Sequence, residues 1–376
     1  MNDSAKAALL PNGLRDILPL DAEFEADVVS RVTAHFAAQG YDRVKPPLIE
    51  FEDTLLADSN AAMAKQCFRV MDPVTQRMMG LRPDMTPQVA RIARTRLAGS
   101  PRPLRLSYAG QVLRVKGTQL RPERQFGQAG IELIGADCPE ADAEVAILAA
   151  EALVALGVPG VSVDLSLPTL VPAILDGLNV DQESLRGSLD HKDAAAVLAL
   201  GGVAAPLLSA LLKAAGPAER ALSILAALEL PPAAAAERDR LAQVVALIKD
   251  AAPEVTITID PVENRGFEYH SGISFTLFAQ NIAGELGRGG RYMAGGCEPS
   301  TGATLFLDTI VAALPGPEPV KRIFVPAGAP RAYAQALRAQ GWITVAGLRA
   351  VDDNAAEAKR MGCGHVLLAD GVKSVE

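Results

Sequence analysis

Cysteine and histidine are sparse in this chain, and neither is arranged for chemistry. The four cysteines, Cys67, Cys138, Cys297 and Cys363, are scattered with no C-x-x-C pair. That spacing argues against a zinc site or a disulfide framework and fits a reducing cytoplasm. The four histidines, His35, His191, His270 and His365, lie far apart, and neither a P-loop nor a Ser-His-Asp order occurs. The usual sequence grounds for metal, triphosphate or serine-type catalysis are therefore missing. There is no basic surplus either: the formal net charge is −8, which disfavours a nucleic-acid partner, although a local basic patch is compatible with an acidic chain. The first residues, with Asp3 early and Pro11-Asn12-Gly13 soon after, lack the cationic start and apolar run of an export signal. The one uncharged stretch as long as a membrane helix, Ala194 to Leu212, is interrupted by Gly201-Gly202 and Pro206, so packed small helices are expected rather than a span.

What is present is enough apolar content, 49% of 376 residues, to bury two or three domains. Phe24, Val28, Val32 and Phe36 recur four apart, predicting an amphipathic helix near 21–39 ended by Gly40. A second helix is expected near 137–156, its early acids Asp137, Glu140, Asp142 and Glu144 suiting the positive end of a helix dipole. Val161 to Leu167 alternates as a strand, residues near 170–250 turn to Ala and Leu as an inserted helical block, and strand chemistry resumes at Val255 and again over Phe267 to Phe278. Pro315-Gly-Pro-Glu-Pro319 reads as a stiff linker before a β-α-β-α-β rhythm. That last segment, at about 55 residues, is small for independent stability and is expected to lean on a neighbour or partner.

Two segments carry the chemistry, Arg105-Leu-Ser-Tyr-Ala-Gly-Gln-Val-Leu-Arg114 and Arg124-Gln-Phe-Gly-Gln-Ala-Gly-Ile-Glu-Leu-Ile-Gly135. Read as paired strands with alternating side chains, they place Tyr108, Gly110, Val112 and Arg114 on one side, and Arg124, Phe126, Gln128, Gly130 and Glu132 together. Cations, an amide and a carboxylate around glycine-sized gaps are the inventory a free amino acid needs: donors for its carboxylate, a carboxylate for its ammonium, and room for close approach. Gly110, Gly127 and Gly130 each weaken a strand unless something approaches the backbone there. A self-satisfied structural network of arginine, amide and carboxylate is the competing reading of the same residues.

These two strands resemble the second signature motif of class II aminoacyl-tRNA synthetases in its histidyl form. Further blocks resemble histidyl synthetases in the same order: Arg15-Asp-Ile-Leu-Pro19, Gly40 to Glu50, Leu81-Arg-Pro-Asp-Met-Thr86, Arg265-Gly-Phe-Glu-Tyr-His270 and Gly289-Gly-Arg-Tyr292. The closer resemblance is to the synthetase-like regulatory subunits of ATP phosphoribosyltransferase. Where class II synthetases carry a carboxylate two residues after the second-motif arginine, this chain has Lys116, and Thr309 stands after Asp308 where an ATP-gripping arginine belongs. Losing such a cation typically costs several kcal/mol of transition-state stabilisation, so no competent ATP site is expected.

The resemblance implies an α+β fold: a class II synthetase-like antiparallel sheet flanked by helices, with an inserted helical subdomain and a small C-terminal α/β domain. The corresponding segments are 1–168 and 253–314 for the core, 169–252 for the insertion and 320–376 for a truncated anticodon-binding-like domain. It implies a non-catalytic regulatory subunit in the first step of histidine biosynthesis, with no cofactor or metal. Its partners would be the catalytic ATP phosphoribosyltransferase subunit, histidine as feedback effector and a second copy in a dimer, with no nucleic acid or membrane. Histidine would be held by Asp84, Thr86, Arg114, Gln128, Glu132, Arg265, Tyr269, His270 and Tyr292. By resemblance, Asp84 and Thr86 meet the ammonium, Arg114 and Arg265 the carboxylate, and Tyr269 and His270 the imidazole, with His270 adding a group that titrates near neutrality. Asp84 or Thr86 also suits a helix N-cap. A histidyl-tRNA synthetase and a non-regulatory scaffold with a relic pocket are the alternatives.

Overall fold

A computed structural model describes residues 9–57, 61–118, 121–263, 269–317 and 320–375. The chain divides into two compact units, Met1–Gly316 and Pro317–Glu376. Residues 169–252, expected as an insertion, belong to the first.

The first unit begins with helix α1 (Asp21–Ala38), which buries Val28, Val32 and Phe36, the stripe the four-residue spacing predicts. Each such side chain contributes about 1.5–3 kcal/mol of burial. The chain leaves α1 through Gly40 at φ +82°, a left-handed turn suited to glycine. The short β1 (Asp42–Arg43) follows, then β2 (Ile49–Phe51), β3 (Phe68–Met71) and β4 (Met78–Leu81), which make a separate small antiparallel sheet. Helix α2 (Thr86–Thr95) then leads to the long hairpin β5 (Leu104–Leu113) and β6 (Gln125–Ile134).

Helix α3 (Pro139–Leu156) ends at Gly157, φ +93°, and β7 (Ser162–Ser166) enters the helical region: α4 (Leu170–Leu175), α5 (Gln182–Asp190), α6 (Ala194–Leu200), α7 (Ala205–Ala214), the two-residue β8 (Gly216–Pro217), α8 (Ala218–Ala226) and α9 (Pro232–Ala251). The sheet resumes with β9 (Thr256–Asp260), β10 (His270–Phe278), β11 (Gly287–Ala294) and β12 (Glu298–Phe306), before α10 (Leu307–Ala313). Among the described residues the main sheet runs β1-β5-β6-β12-β11-β10-β7-β9-β8. Its pairs are antiparallel except β1 with β5 and β7 with β9. No described helix is long and apolar enough to cross a membrane.

Alternation gives the sheet two different faces. Ala109, Ala129, Ile131, Leu133, Ala303 and Leu305 enter the large core under α1 and α3. Leu106, Tyr108, Val112, Phe126, Ile134, Tyr292 and Phe306 form a smaller cluster with Met85, Val89 and Ala90 of the α2 segment. The second face carries the polar residues of interest. In the second unit, β13 (Arg322–Val325) pairs in parallel with β14 (Ile343–Ala346) and β15 (His365–Leu368), and an added antiparallel β16 (Gly371–Ser374) borders β15. Helices α11 (Arg331–Ala339) and α12 (Asn354–Arg360) complete it, around Phe324, Ala358, Cys363, Val366 and Val375.

Candidate functional site

Register fixes the site. Tyr108 lies opposite Gly130, Gly110 opposite Gln128 and Leu106 opposite Glu132 across the β5–β6 pair, while Gly302 of β12 lies opposite Glu132 on the other side. Glu132 is 1% exposed. It fits because Gly302 has no side chain: a Cβ there would sit 1.9 Å from Glu132 Oε2. Its carboxylate accepts from Tyr292 Oη at 2.8 Å and from Tyr108 Oη at 3.4 Å. Tyr108 Oη is also 2.7 Å from Thr304 Oγ1 and 3.2 Å from Thr86 Oγ1. Among the described residues no arginine or lysine makes an ion pair with Glu132. Burial, the largest effect, pushes its carboxyl up to about 8; the hydroxyls of Tyr292, Thr86 and Tyr108 pull the other way, and the charge of Asp84 adds to the rise.

Next to this carboxyl a second polar cluster is closed on itself. Gln128, fully buried, donates to Asp84 Oδ2 at 2.8 Å and accepts from the Met85 amide at 3.2 Å. Asp84 Oδ1 accepts from the Thr86 amide at 2.9 Å; the cap position itself is Met85, with no side-chain cap bond, so neither Asp84 nor Thr86 is the N-cap the sequence suggested. Arg114 approaches Asp84 at 3.9 Å, donates to the Pro83 carbonyl at 3.3 Å and lies over the Phe126 ring at 5.0 Å. Burial holds its guanidinium below its ordinary range.

Thr86, Glu132, Tyr269, His270, Arg288, Gly289, Gly290, Tyr292, Gly302 and Thr304 line one recess of about 10 Å³. That is room for about one water. Five expected ligand residues therefore share it: Thr86, Glu132, Tyr269, His270 and Tyr292. Tyr269 stacks on His270 with ring centroids 4.0 Å apart and meets Tyr292 edge-on at 6.4 Å, and it is 46% exposed, so it forms the outer wall. Asp84, Gln128 and Arg114 form the adjoining cluster, joined to the recess through Thr86. Arg265 lies outside the described residues.

The expected close approaches to glycine occur, but the protein's own side chains make them. The Tyr108 ring covers Gly130, Arg82 covers Gly110, and Leu307 covers Gly127 from the opposite, core face. Sequence reasoning also missed Arg121. It is 8% exposed and lies 3.8 Å over the Phe306 ring; it donates to Asp308 Oδ2 at 3.0 Å and to Thr309 Oγ1 at 3.2 Å. The cation absent from position 309 in sequence is thus present there in space, already bound to neighbouring protein groups. Lys116 is exposed. A larger cleft of about 450 Å³ opens elsewhere, beside Phe126, and its wall includes Asp16, Asp21, Glu25, Glu123 and Asp308. That many carboxylates suit an amino acid's carboxylate poorly.

An antiparallel sheet carrying a buried amino-acid-sized set of polar groups is the arrangement of class II synthetase folds, and residues 13–310 match the family described as histidyl-tRNA synthetase. The ATP phosphoribosyltransferase regulatory subunit of Paramagnetospirillum magneticum is 67% identical over 100% of both chains. Among solved structures, an ATP phosphoribosyltransferase regulatory subunit/histidyl-tRNA synthetase from Bacillus halodurans superposes with a TM-score of 0.81 at 24% identity, covering 93% of this chain and 96% of that one. A chain of the ATP phosphoribosyl transferase (HisG:HisZ) complex from Thermotoga maritima has the same fold, with a TM-score of 0.60 at 18% identity over 75% of this chain and 97% of its own. The chain belongs to the family of ATP phosphoribosyltransferase regulatory subunits, on the class II synthetase-like fold shared with histidyl-tRNA synthetases.

Proposed function

We propose that this chain is a non-catalytic cytoplasmic subunit that assembles with the catalytic ATP phosphoribosyltransferase chain. It enables the first step of histidine biosynthesis and carries feedback by binding histidine in the recess around Glu132. The observation that carries the reading is a fully buried carboxyl, ringed by hydroxyls rather than by a described cation, at the floor of a recess walled by Tyr269, His270 and Tyr292. Such a group is unfavourable as an anion until a cation arrives. The ligand's ammonium or imidazolium supplies one, and Glu132 gives up its proton in exchange. Asp84, Gln128 and Arg114 stand beside it for the ligand's other polar groups.

Histidine is far larger than about 10 Å³, so the recess widens when it binds, with the half-exposed Tyr269 as the wall with most room to move. The subunit performs no chemistry itself: Lys116 replaces the expected carboxylate, and Arg121 is held by Asp308, Thr309 and two phenylalanine rings. Binding of histidine and of the partner's substrate are then linked reciprocally, at about 1–3 kcal/mol between sites. The test is reconstitution of phosphoribosyl transfer from both purified chains, with and without histidine. The reading expects activity that needs this chain and falls with histidine; indifference to either addition would refute it, and histidine-dependent exchange of pyrophosphate into ATP would favour a synthetase instead.

A further inference from the structure

Arg291 and Tyr292 are neighbours on β11, so their side chains leave opposite faces of the sheet. Tyr292 donates to Glu132 in the recess. Arg291 crosses beneath Gly272, where a Cβ would lie 2.7 Å from its Cδ, and reaches Asp142 of α3 with Nη1 to Oδ1 at 3.3 Å. Asp142, 2% exposed, also accepts from Arg240 Nε of α9 at 2.7 Å and from Thr301 Oγ1 at 2.6 Å. Asp137 bridges the two arginines, pairing with Arg240 at 3.0 Å and with Arg291. The far end of the network is therefore the last helix of the 169–252 region, and the near end is the residue next to a recess wall.

Buried ion networks add little net stability over apolar packing, but they hold one geometry, because removing a partner strands a buried charge. Histidine can enter the recess only if its walls shift. A shift of Tyr292 displaces Arg291, and Arg291 is tied through Asp142 to α9. We infer that the Arg291–Asp142–Arg240 network couples occupancy of the recess to the packing of the 169–252 helical region, making α9 the element that responds to the effector. This rests on the reading of the recess given above.

Hydrogen exchange on the full-length chain with saturating histidine tests it. The coupling expects exchange rates across residues 232–251 to change at least threefold. Arg240→Met is expected to keep histidine affinity within about threefold, to lose the α9 response and to weaken histidine inhibition of the reconstituted transferase at least tenfold. Thr301→Val, which removes one hydroxyl and no charge, gives the same test in milder form should Arg240→Met not fold. Calorimetric binding with no change in α9 exchange, or undiminished inhibition in a folded variant, would overturn the coupling while leaving the recess reading intact. No histidine binding by the wild-type chain would overturn the recess reading and the coupling with it.

Discussion

Glu132 and Asp142 are buried almost equally, 1% and 2% exposed, on opposite faces of one sheet, and their surroundings could hardly differ more. Asp142 is met by two guanidinium groups and a threonine hydroxyl. Glu132 is met by tyrosine hydroxyls, and burial drives its carboxyl up to about 8. Burial alone thus says little about a carboxylate's role. The partners decide: permanent cations make it a joint of the structure, and neutral donors leave it ready to accept a cation from outside.

The largest expected effect falls on the joint. Asp142→Ala strands Arg240 and Arg291 and should destabilise the chain by about 3–5 kcal/mol, read from denaturant unfolding; a loss under about 1 kcal/mol would mean that the network relaxes freely. Glu132→Ala should spare stability by comparison but weaken histidine binding by more than about 2 kcal/mol, abolishing inhibition with assembly intact, as measured by the reconstituted assay and size-exclusion chromatography. Arg121→Ala leaves Asp308 without its 3.0 Å partner and should cost about 1–3 kcal/mol, with histidine affinity unmoved because Arg121 belongs to neither carboxyl's surroundings.

The last expected effect concerns pH. The folded-state value for Glu132 lies above its ordinary 4.5, so between about 4.5 and about 8 the folded chain holds a proton that the unfolded chain has released. Its contribution to stability is fully present below that window and declines as pH rises through it. Glu132→Gln keeps the shape without the titration, and its stability should fall less over the same range. Identical pH profiles for the two proteins would mean that folding leaves the Glu132 carboxyl unshifted and would contradict the cation-free surroundings described for it.

Much of this architecture was legible in the sequence. The four-residue spacing in α1 is a local pattern that burial of one face imposes, and the alternation of side chains between the two faces of β5 and β6 follows from the strand pleat, so both survive folding unchanged. The two-residue β1 and β8 carry too little pattern to be seen, and β16 lies past the last predicted strand. Five expected ligand residues could be named because each sits in a short contiguous motif; they meet at one recess because the sheet sets β6, β12, β11 and β10 side by side. Tyr108 was visible on the right face, but its bonds to Thr304 and Glu132 depend on the order of strands, which alternation cannot give. The early acids of α3 were read as dipole partners, and Glu140 and Asp142 do lie in its first turn; Asp142 also pairs with Arg240 and Arg291, and Glu144 with Arg105 at 2.7 Å, contacts that depend on distant segments. Arg121 reaches Asp308 and Thr309 from 187 and 188 positions away in the chain, a contact that no local pattern around position 309 encodes.

Calorimetric titration of the purified chain with histidine near neutral pH, in buffers of different ionisation enthalpy, addresses the central claim most directly. The account predicts saturable binding at one site per chain with a proton released to the buffer, and loss of that release in Glu132→Gln. Saturable binding with the same proton count in both proteins, or no binding at all, would contradict it.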